Sequence, residues 1–141
     1  MSLPVRGVFD DVRGNGVVSP DGAVSGTFSV GTASIDTKNE RRDTHLRSAD
    51  FFDSANNPDI TFVTHDIRPS GGSVVVTGAL TVRAHTRPVS FGATVSVQID
   101  GEVWLDAQVH INRRDFGVDW NWAGLMSMKN IVTVHAVFTR A

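Results

Sequence analysis

The side chains that could do chemistry are scattered. The five histidines, His45, His65, His85, His110 and His135, stand singly, and no two share the i, i+2 or i, i+4 spacing of a metal-binding pair. There is no cysteine, which removes disulfides, thiolate zinc sites and a thiol nucleophile. No Gly-x-Ser-x-Gly elbow and no phosphate-cradling glycine loop followed by lysine occurs. Asp115-Phe116-Gly117 has the letters of the kinase metal-binding tripeptide, yet 141 residues cannot house the rest of a kinase. Asp10-Asp11 and the Asp50, Asp53 pair are the candidate acid/base carboxylates. Adjacent aspartates on a strand point to opposite faces, and Asp50 and Asp53 flank Phe51-Phe52, where fixing a loop through Asx-type bonds is the simpler role. Arginine clusters at Arg41-Arg42 with Arg47, at Arg113-Arg114, and at Arg83 and Arg87, which flank an expected turn, Ala84-His85-Thr86. Such forks either hold an anionic headgroup or pair with neighbouring acids, as Glu40-Arg41-Arg42-Asp43 suggests. Nothing assembles nucleophile, base and orienting group, so an enzyme is the minority reading.

Composition narrows the field further. Thirteen basic residues against fifteen acidic ones give a net charge of −2, without the basic excess of a nucleic-acid binder. With 40% apolar and 20% charged residues, the chain reads as one soluble globular domain over 1–141. No apolar run reaches the roughly 18 residues of a membrane span, so no membrane insertion is expected. Met1-Ser2-Leu3-Pro4 lacks the basic and apolar regions of a secretory signal. Cytoplasmic is therefore the default, and periplasmic the reading if an upstream signal has been removed.

The elements that must carry these side chains are strands. Apolar residues alternate at Val103, Leu105, Ala107, Val109 and Ile111, again at Val89, Phe91, Ala93, Val95, Val97 and Ile99, and again at Val74, Val76, Leu80 and Val82. Val132, Val134, Ala136 and Phe138 close the chain the same way. Each run is a strand with one buried and one wet face, as in an antiparallel sheet, and Asp106 and His110 belong to the wet one. Weaker strands are expected near Val5–Phe9, Val17–Val18, Val24–Ser34 and Ile60–Ile67. Turn residues separate the runs at Pro20-Asp21-Gly22, Pro69-Ser70-Gly71-Gly72 and Asp100-Gly101, the last read as a two-residue hairpin loop. Only the charged stretch 37–50 resists the strand reading; there Asn39 can cap a short helix or turn near 39–50, with Leu46 facing inward. Seven or eight such strands make a sandwich or a barrel. Small inward residues (Gly26, Gly78, Ala93, Ala107, Ala136) suit a hollow barrel, and a filled core fits the same pattern.

Three blocks give the sequence a family look. The stretch from Ala33-Ser34-Ile35-Asp36 through Asp50-Phe51-Phe52-Asp53, followed by Pro58-Asp59-Ile60-Thr61-Phe62, resembles the central signature of the YceI-like polyisoprenoid-binding family. Gly78-Ala79-Leu80-Thr81-Val82-Arg83 with Thr86-Arg87-Pro88-Val89, and Ile111-Asn112-Arg113-Arg114-Asp115-Phe116-Gly117-Val118-Asp119-Trp120, resemble its other two blocks. The resemblance implies an all-β, antiparallel, eight-stranded lipocalin-like barrel with an apolar tunnel for a polyprenyl lipid or quinone tail. It also implies a bacterial, non-enzymatic carrier or sequestering protein, often dimeric and without cofactor. Relative to the family, about one strand ahead of Val5 is missing; either the start is trimmed or one barrel edge is unpaired, so eight strands or one fewer are expected, and an open edge would invite a second subunit. The family's acidic C-terminal turn is replaced by Met128-Lys129-Asn130.

On this reading the ligand lies against Phe28, Phe62, Leu80, Val82, Phe91, Leu105 and Val109. One end is lined or plugged by Leu46, Phe51, Phe52, Phe116 and Trp120, with Asp43, His45 and Asp50 holding segment 37–53 through backbone bonds. Arg113 and Arg114 are the expected headgroup residues, with Trp122 and Met126 as adaptable contacts at the rim. Two rivals remain open. One is a small hydrolase or isomerase using Asp115, His85 and the arginine pairs; the other is a barrel with a filled core that only binds partners.

Overall fold

β-Branched and aromatic residues at every second position keep the chain extended and give each strand one apolar face. The computed structural model describes residues 6–18, 24–120 and 128–139. Its strands are β1 (Val8–Phe9), β2 (Val12–Val18), β3 (Val24–Gly31), β4 (Ile35–Asp36), β5 (Asp59–Ser70), β6 (Ser73–Val82), β7 (His85–Val97), β8 (Val103–Asn112) and β9 (Lys129–Phe138). The single α-helix among the described residues, α1, spans Glu40–Arg47. Asn39 caps it as expected, its side chain accepting from the Arg42 N–H at 3.0 Å. β1 and β4 form a small ribbon, and the other seven strands form one antiparallel sheet in the order β2-β3-β5-β6-β7-β8-β9. The sheet curls until its edge strands, β2 and β9, line a common cleft. The result is a half-barrel of seven strands, the shorter of the two counts the sequence allowed.

The alternation settles which face is inside. On β8, Ala107 and Val109 are buried and Val103, Leu105 and Ile111 half-buried, whereas Trp104, Asp106, Gln108 and His110 are exposed. β5 keeps this parity only by inserting an irregularity between Thr64 and Asp66, which moves the inward set from Ile60, Phe62 and Thr64 to Ile67 opposite Val76. Gly78 is fixed by packing: a Cβ there would stand 2.6 Å from the Phe62 ring and collide with the Val63 carbonyl.

Two turns differ from expectation. The β7–β8 connection is a three-residue loop: the Gly101 N–H donates to the Gln98 carbonyl, Gln98 N–H to Glu102, and Gly101 sits at φ +89°. A type I turn completed by a left-handed glycine is a common way to join two strands with three residues. The β6–β7 connection is Arg83-Ala84, not Ala84-His85-Thr86, with Val82 paired to His85. Both turn residues have positive φ, +51° and +62°, where Asn-Gly is the usual choice.

Sheet continuity fails at one place. β7 pairs with β6 from His85 to Ala93, but with β8 only from Ala93 to Val97. The first half of β7 therefore diverges from the last part of β8. A 3-10 turn, Arg113–Phe116, stands where the two strands part, and the following Gly117 lies against the His85 ring.

Candidate functional site

The concave face is apolar and unevenly filled. Val76, Ala93 and Ala107 are buried at its middle, with Phe62, Ile67, Phe91, Leu105 and Val134 packed on them. Phe62 and Phe91 approach with ring centroids 5.6 Å apart. Further along, side chains whose register places them on this same face remain open: Val12 at 47%, Val95 at 41%, Val97 at 71%, Val132 at 40% and Phe138 at 37% exposure. Among the described residues no second layer covers them.

One end is closed by a dense plug. Phe51, Leu80, Val82, Phe116 and Val118 form a buried cluster, against which Leu46, Phe52, Ile111 and Trp120 pack. The His45 ring stands edge-on to both Phe51 (5.1 Å) and Trp120 (4.6 Å). Asp43 accepts from the Thr37 N–H at 3.0 Å and from its hydroxyl, a backbone bond as expected, but one within segment 37–53 rather than from the segment to the barrel. His45 and Asp50 do not reach backbone groups with these side chains; they bond each other, Nε2–H donating to Oδ2 at 2.9 Å. Nor does Asp53 make an Asx bond to the backbone: its carboxylate accepts from the Asn56 amide.

Arginines tie the plug to the wall through carbonyls rather than carboxylates. Arg42 donates to the Thr37 hydroxyl and carbonyl, both at 2.8 Å. Arg83 donates to the carbonyls of Ala49 (2.8 Å) and Phe51 (3.0 Å). Arg113 donates to those of Val118 (2.9 Å) and Trp120 (2.8 Å), with its guanidinium 5.6 Å from the Phe51 ring centre. Burial pushes the Arg113 pKa down from its ordinary value, partly countered by Asp119. A guanidinium remains charged regardless, because its starting value is so high.

The other opening is the seam between the sheet edges, a cleft of about 470 Å³. Its lining mixes concave-face residues (Val12, Gly14, Phe28, Ala136, Phe138) with outer-face residues (Arg13, His135, Val137), so the cleft passes through the wall. Its size falls within the range of small-molecule sites. On the outer rim Arg13 is tied to Asp11 at 3.2 Å and to Asp59, bonds that raise its pKa, the one to Asp59 most. His135 Nδ1–H donates to Asp106 at 2.6 Å. Among the described residues no three His, Asp or Glu side chains converge as a metal site. No helix there is long and apolar enough to cross a membrane.

A family model described as the YceI-like domain matches residues 1–139. The chain belongs to the YceI-like family. UPF0312 protein SERP2314 of Staphylococcus epidermidis is 34% identical over 93% of this chain and 81% of its own length. Protein YceI of Escherichia coli O157:H7 is 34% identical over 64% of this chain and half of its own length. Among solved structures, Burkholderia cenocepacia BcnA superposes with a TM-score of 0.89 at 26% identity, over 99% of this chain and 91% of that one. A polyisoprenoid binding domain from Saccharophagus degradans shares the fold at a TM-score of 0.64 and 11% identity, over 95% of this chain and 97% of that domain.

In this YceI-like chain the expected site residues fall into four places. Phe62, Leu80, Val82, Phe91, Leu105 and Val109 lie on the concave face, and Phe28 lies at the seam. Leu46, Phe51, Phe52, Phe116 and Trp120 are gathered in the plug. Arg113 spends one donor group on the loop carbonyls, and Arg114 is exposed beside it. Trp122 and Met126 lie outside the described residues. His85 and Asp115, the residues of the hydrolase reading, are not bonded to each other: His85 Nδ1–H donates to the Arg83 carbonyl at 2.8 Å. The seam itself went unseen in the sequence, although the short glycine-bearing β2 and the fully apolar alternation of β9 were its available signals.

Proposed function

We propose that the protein is a non-enzymatic binding protein that holds the tail of an isoprenoid-type lipid, a polyprenol or a quinone, along the concave face of the half-barrel. The carrying observation is the row of open apolar side chains on that face, Val12, Val95, Val97, Val132 and Phe138. Water against them is costly, and each CH₂ of a tail that displaces it is worth about 0.8 kcal/mol. Such a ligand needs a dry wall and no catalytic group. The naming of a fold neighbour as a polyisoprenoid binding domain supports the same ligand class. A homodimer is part of the proposal. Among the described residues β9 is an edge of the sheet, with exposed Ile131, Val132, Val137 and Phe138, the kind of edge that templates a second strand; light scattering across a concentration series tests it.

Native mass spectrometry of protein purified from its own cells, before and after organic extraction, tests the ligand. The expected result is a bound mass in the isoprenoid range that extraction removes. Protein that is repeatedly empty and takes up neither added polyprenol nor added quinone would overturn the proposal.

A further inference from the structure

The strand directions give the seam a definite complement. Each strand of the large sheet is antiparallel to the next, from β2 through β9, so with seven strands the two edges run the same way. Among the described residues β2 is paired to β3 alone and β9 to β8 alone. Joining the two edges directly would put one parallel ladder into an antiparallel sheet, and parallel ladders are the weaker kind. One further strand running the opposite way would be antiparallel to both. It would close the curl into a ring and leave no edge.

Neither edge is guarded against such a guest. Natural sheets blunt exposed edges with lysine, proline or bulges. Here both edge ladders keep an unbroken register, Val12–Val18 against β3 and Lys129–Phe138 against β8. From Asn130 to Phe138 there is no lysine, arginine or proline. Val12 and Phe138 stand open beside the cleft on the concave side, and Val137 on the outer side. Small residues leave room between them: the register puts Gly14 and Gly16 on the concave side of β2, opposite Phe28 and Gly26, and Ala136 on that side of β9. The outer rim is already neutralised, Arg13 by Asp11 and Asp59 and His135 by Asp106. A second copy's β9 cannot fill this space, because its own β8 occupies one of its two sides. The seam has two edges to satisfy.

We propose that the seam is a docking site for an extended segment of another polypeptide, which pairs with β2 and β9 at once. β2 is seven residues long, and that sets the length of the segment. Main-chain hydrogen bonds supply the affinity of such strand addition, and side chains at alternate positions supply its selectivity. The N–H and C=O groups of successive residues point to opposite sides of a strand, so one alternate set bonds β2 and the other β9. Side chains on the concave side lie over Gly14, Gly16 and Ala136 and between Val12 and Phe138, which calls for large apolar residues at every second position. Those on the outer side meet a rim without net charge and are polar. The proposal is independent of which ligand the trough holds, since the segment roofs the trough at its seam and does not run inside it.

A capped heptapeptide, Lys-Val-Thr-Phe-Thr-Val-Lys, tests this by calorimetric titration against the full chain. It should bind about tenfold or more tighter than the scramble Lys-Thr-Thr-Val-Val-Phe-Lys, which has the same composition without the alternation. N-methylating the two threonine amides removes ladder bonds on one side of the strand, and N-methylating the two valine amides removes them on the other. Each change alone should weaken binding about tenfold, because each deletes two main-chain hydrogen bonds. Benzoylphenylalanine in place of the phenylalanine should cross-link within residues 12–18 or 130–138. Sensitivity to only one methylated set would mean pairing at a single edge and would overturn the proposal, as would cross-links elsewhere or equal binding of the scramble. A chain that binds no peptide and self-associates in light scattering would assign the edge to a second copy, and one that does neither would leave the seam without a strand; both results refute the docking site.

Discussion

Replacing Phe51 by alanine removes the centre of the plug. The ring is 4% exposed, edge-on to His45, tilted against Trp120 at 5.4 Å and under the Arg113 guanidinium. Phenylalanine-to-alanine changes in cores cost about 3–5 kcal/mol, and the cost grows when the surroundings cannot collapse into the void. Here they are pinned. Arg83 grips the Phe51 carbonyl itself, and Arg113 grips the loop that brings Val118 and Trp120. The upper half of the range, about 4–5 kcal/mol, is therefore expected, comparable to the whole stability of a weak domain. Urea unfolding at 25 °C followed by tryptophan fluorescence and circular dichroism measures it, with Phe51→Leu as a volume-conserving control expected to cost less than about 1.5 kcal/mol. A double-mutant cycle with Trp120→Leu should return a coupling of about 0.5–1.5 kcal/mol for the ring pair. A loss below about 1 kcal/mol for Phe51→Ala, with an unchanged denaturant slope, would refute the rigid plug.

Ala84→Gly should stabilise the fold by about 0.5–1 kcal/mol, because a left-handed alanine costs roughly 1–2 kcal/mol and the added unfolded-state freedom of glycine returns only part of it; an unchanged or lowered melting temperature contradicts this. Arg83→Met keeps the side-chain stem and removes two carbonyl bonds, one to exposed Ala49 that water can replace and one to buried Phe51, so urea titration should show a loss of about 2 kcal/mol. The Lys38 N–H, at 2.9 Å, and then its ammonium hold the Asp36 carboxyl below its ordinary pKa. A depressed acid stabilises the fold above the unfolded value, near 4, and the benefit is lost as pH falls through the folded value. Asp36→Asn should flatten the acid limb of the stability curve below about pH 4 and leave the neutral region parallel to wild type.

What the sequence discloses and what it hides divide along physical lines. The inward set on β8 is legible because a half-buried strand repeats every two residues, and the capped α1 is legible because Asn39 precedes a charged stretch without glycine or proline. The irregularity after Thr64 breaks that period without any glycine or proline to mark it. The Arg83-Ala84 turn is invisible for a similar reason: its conformation is imposed by tertiary bonds from Arg83 to the plug, not by turn-forming residue types. The headgroup expectation for Arg113 and Arg114 drew on their charge and on their place just after the inward-pointing end of β8 at Ile111, and neither signal foretells that Arg113 also donates to the carbonyls of Val118 and Trp120. The gap between β7 and β8 depends on where two strands cease to pair, a property of sheet curvature that no local pattern encodes.

That short pairing has a mechanical consequence. Five residue pairs join β7 to β8, against nine between β6 and β7 and ten between β8 and β9. The β8–β9 hairpin is therefore a stiff panel hung on a narrow hinge, and its far side, β9, is latched to no other strand of the sheet. In a closed ring, moving one stave strains every ladder; in this open curl, rotation about the β7–β8 hinge disturbs the fewest hydrogen bonds of any such motion. The girth of the trough is set at that hinge, so tails of different thickness can be accommodated there while the pinned plug at the other end keeps its shape.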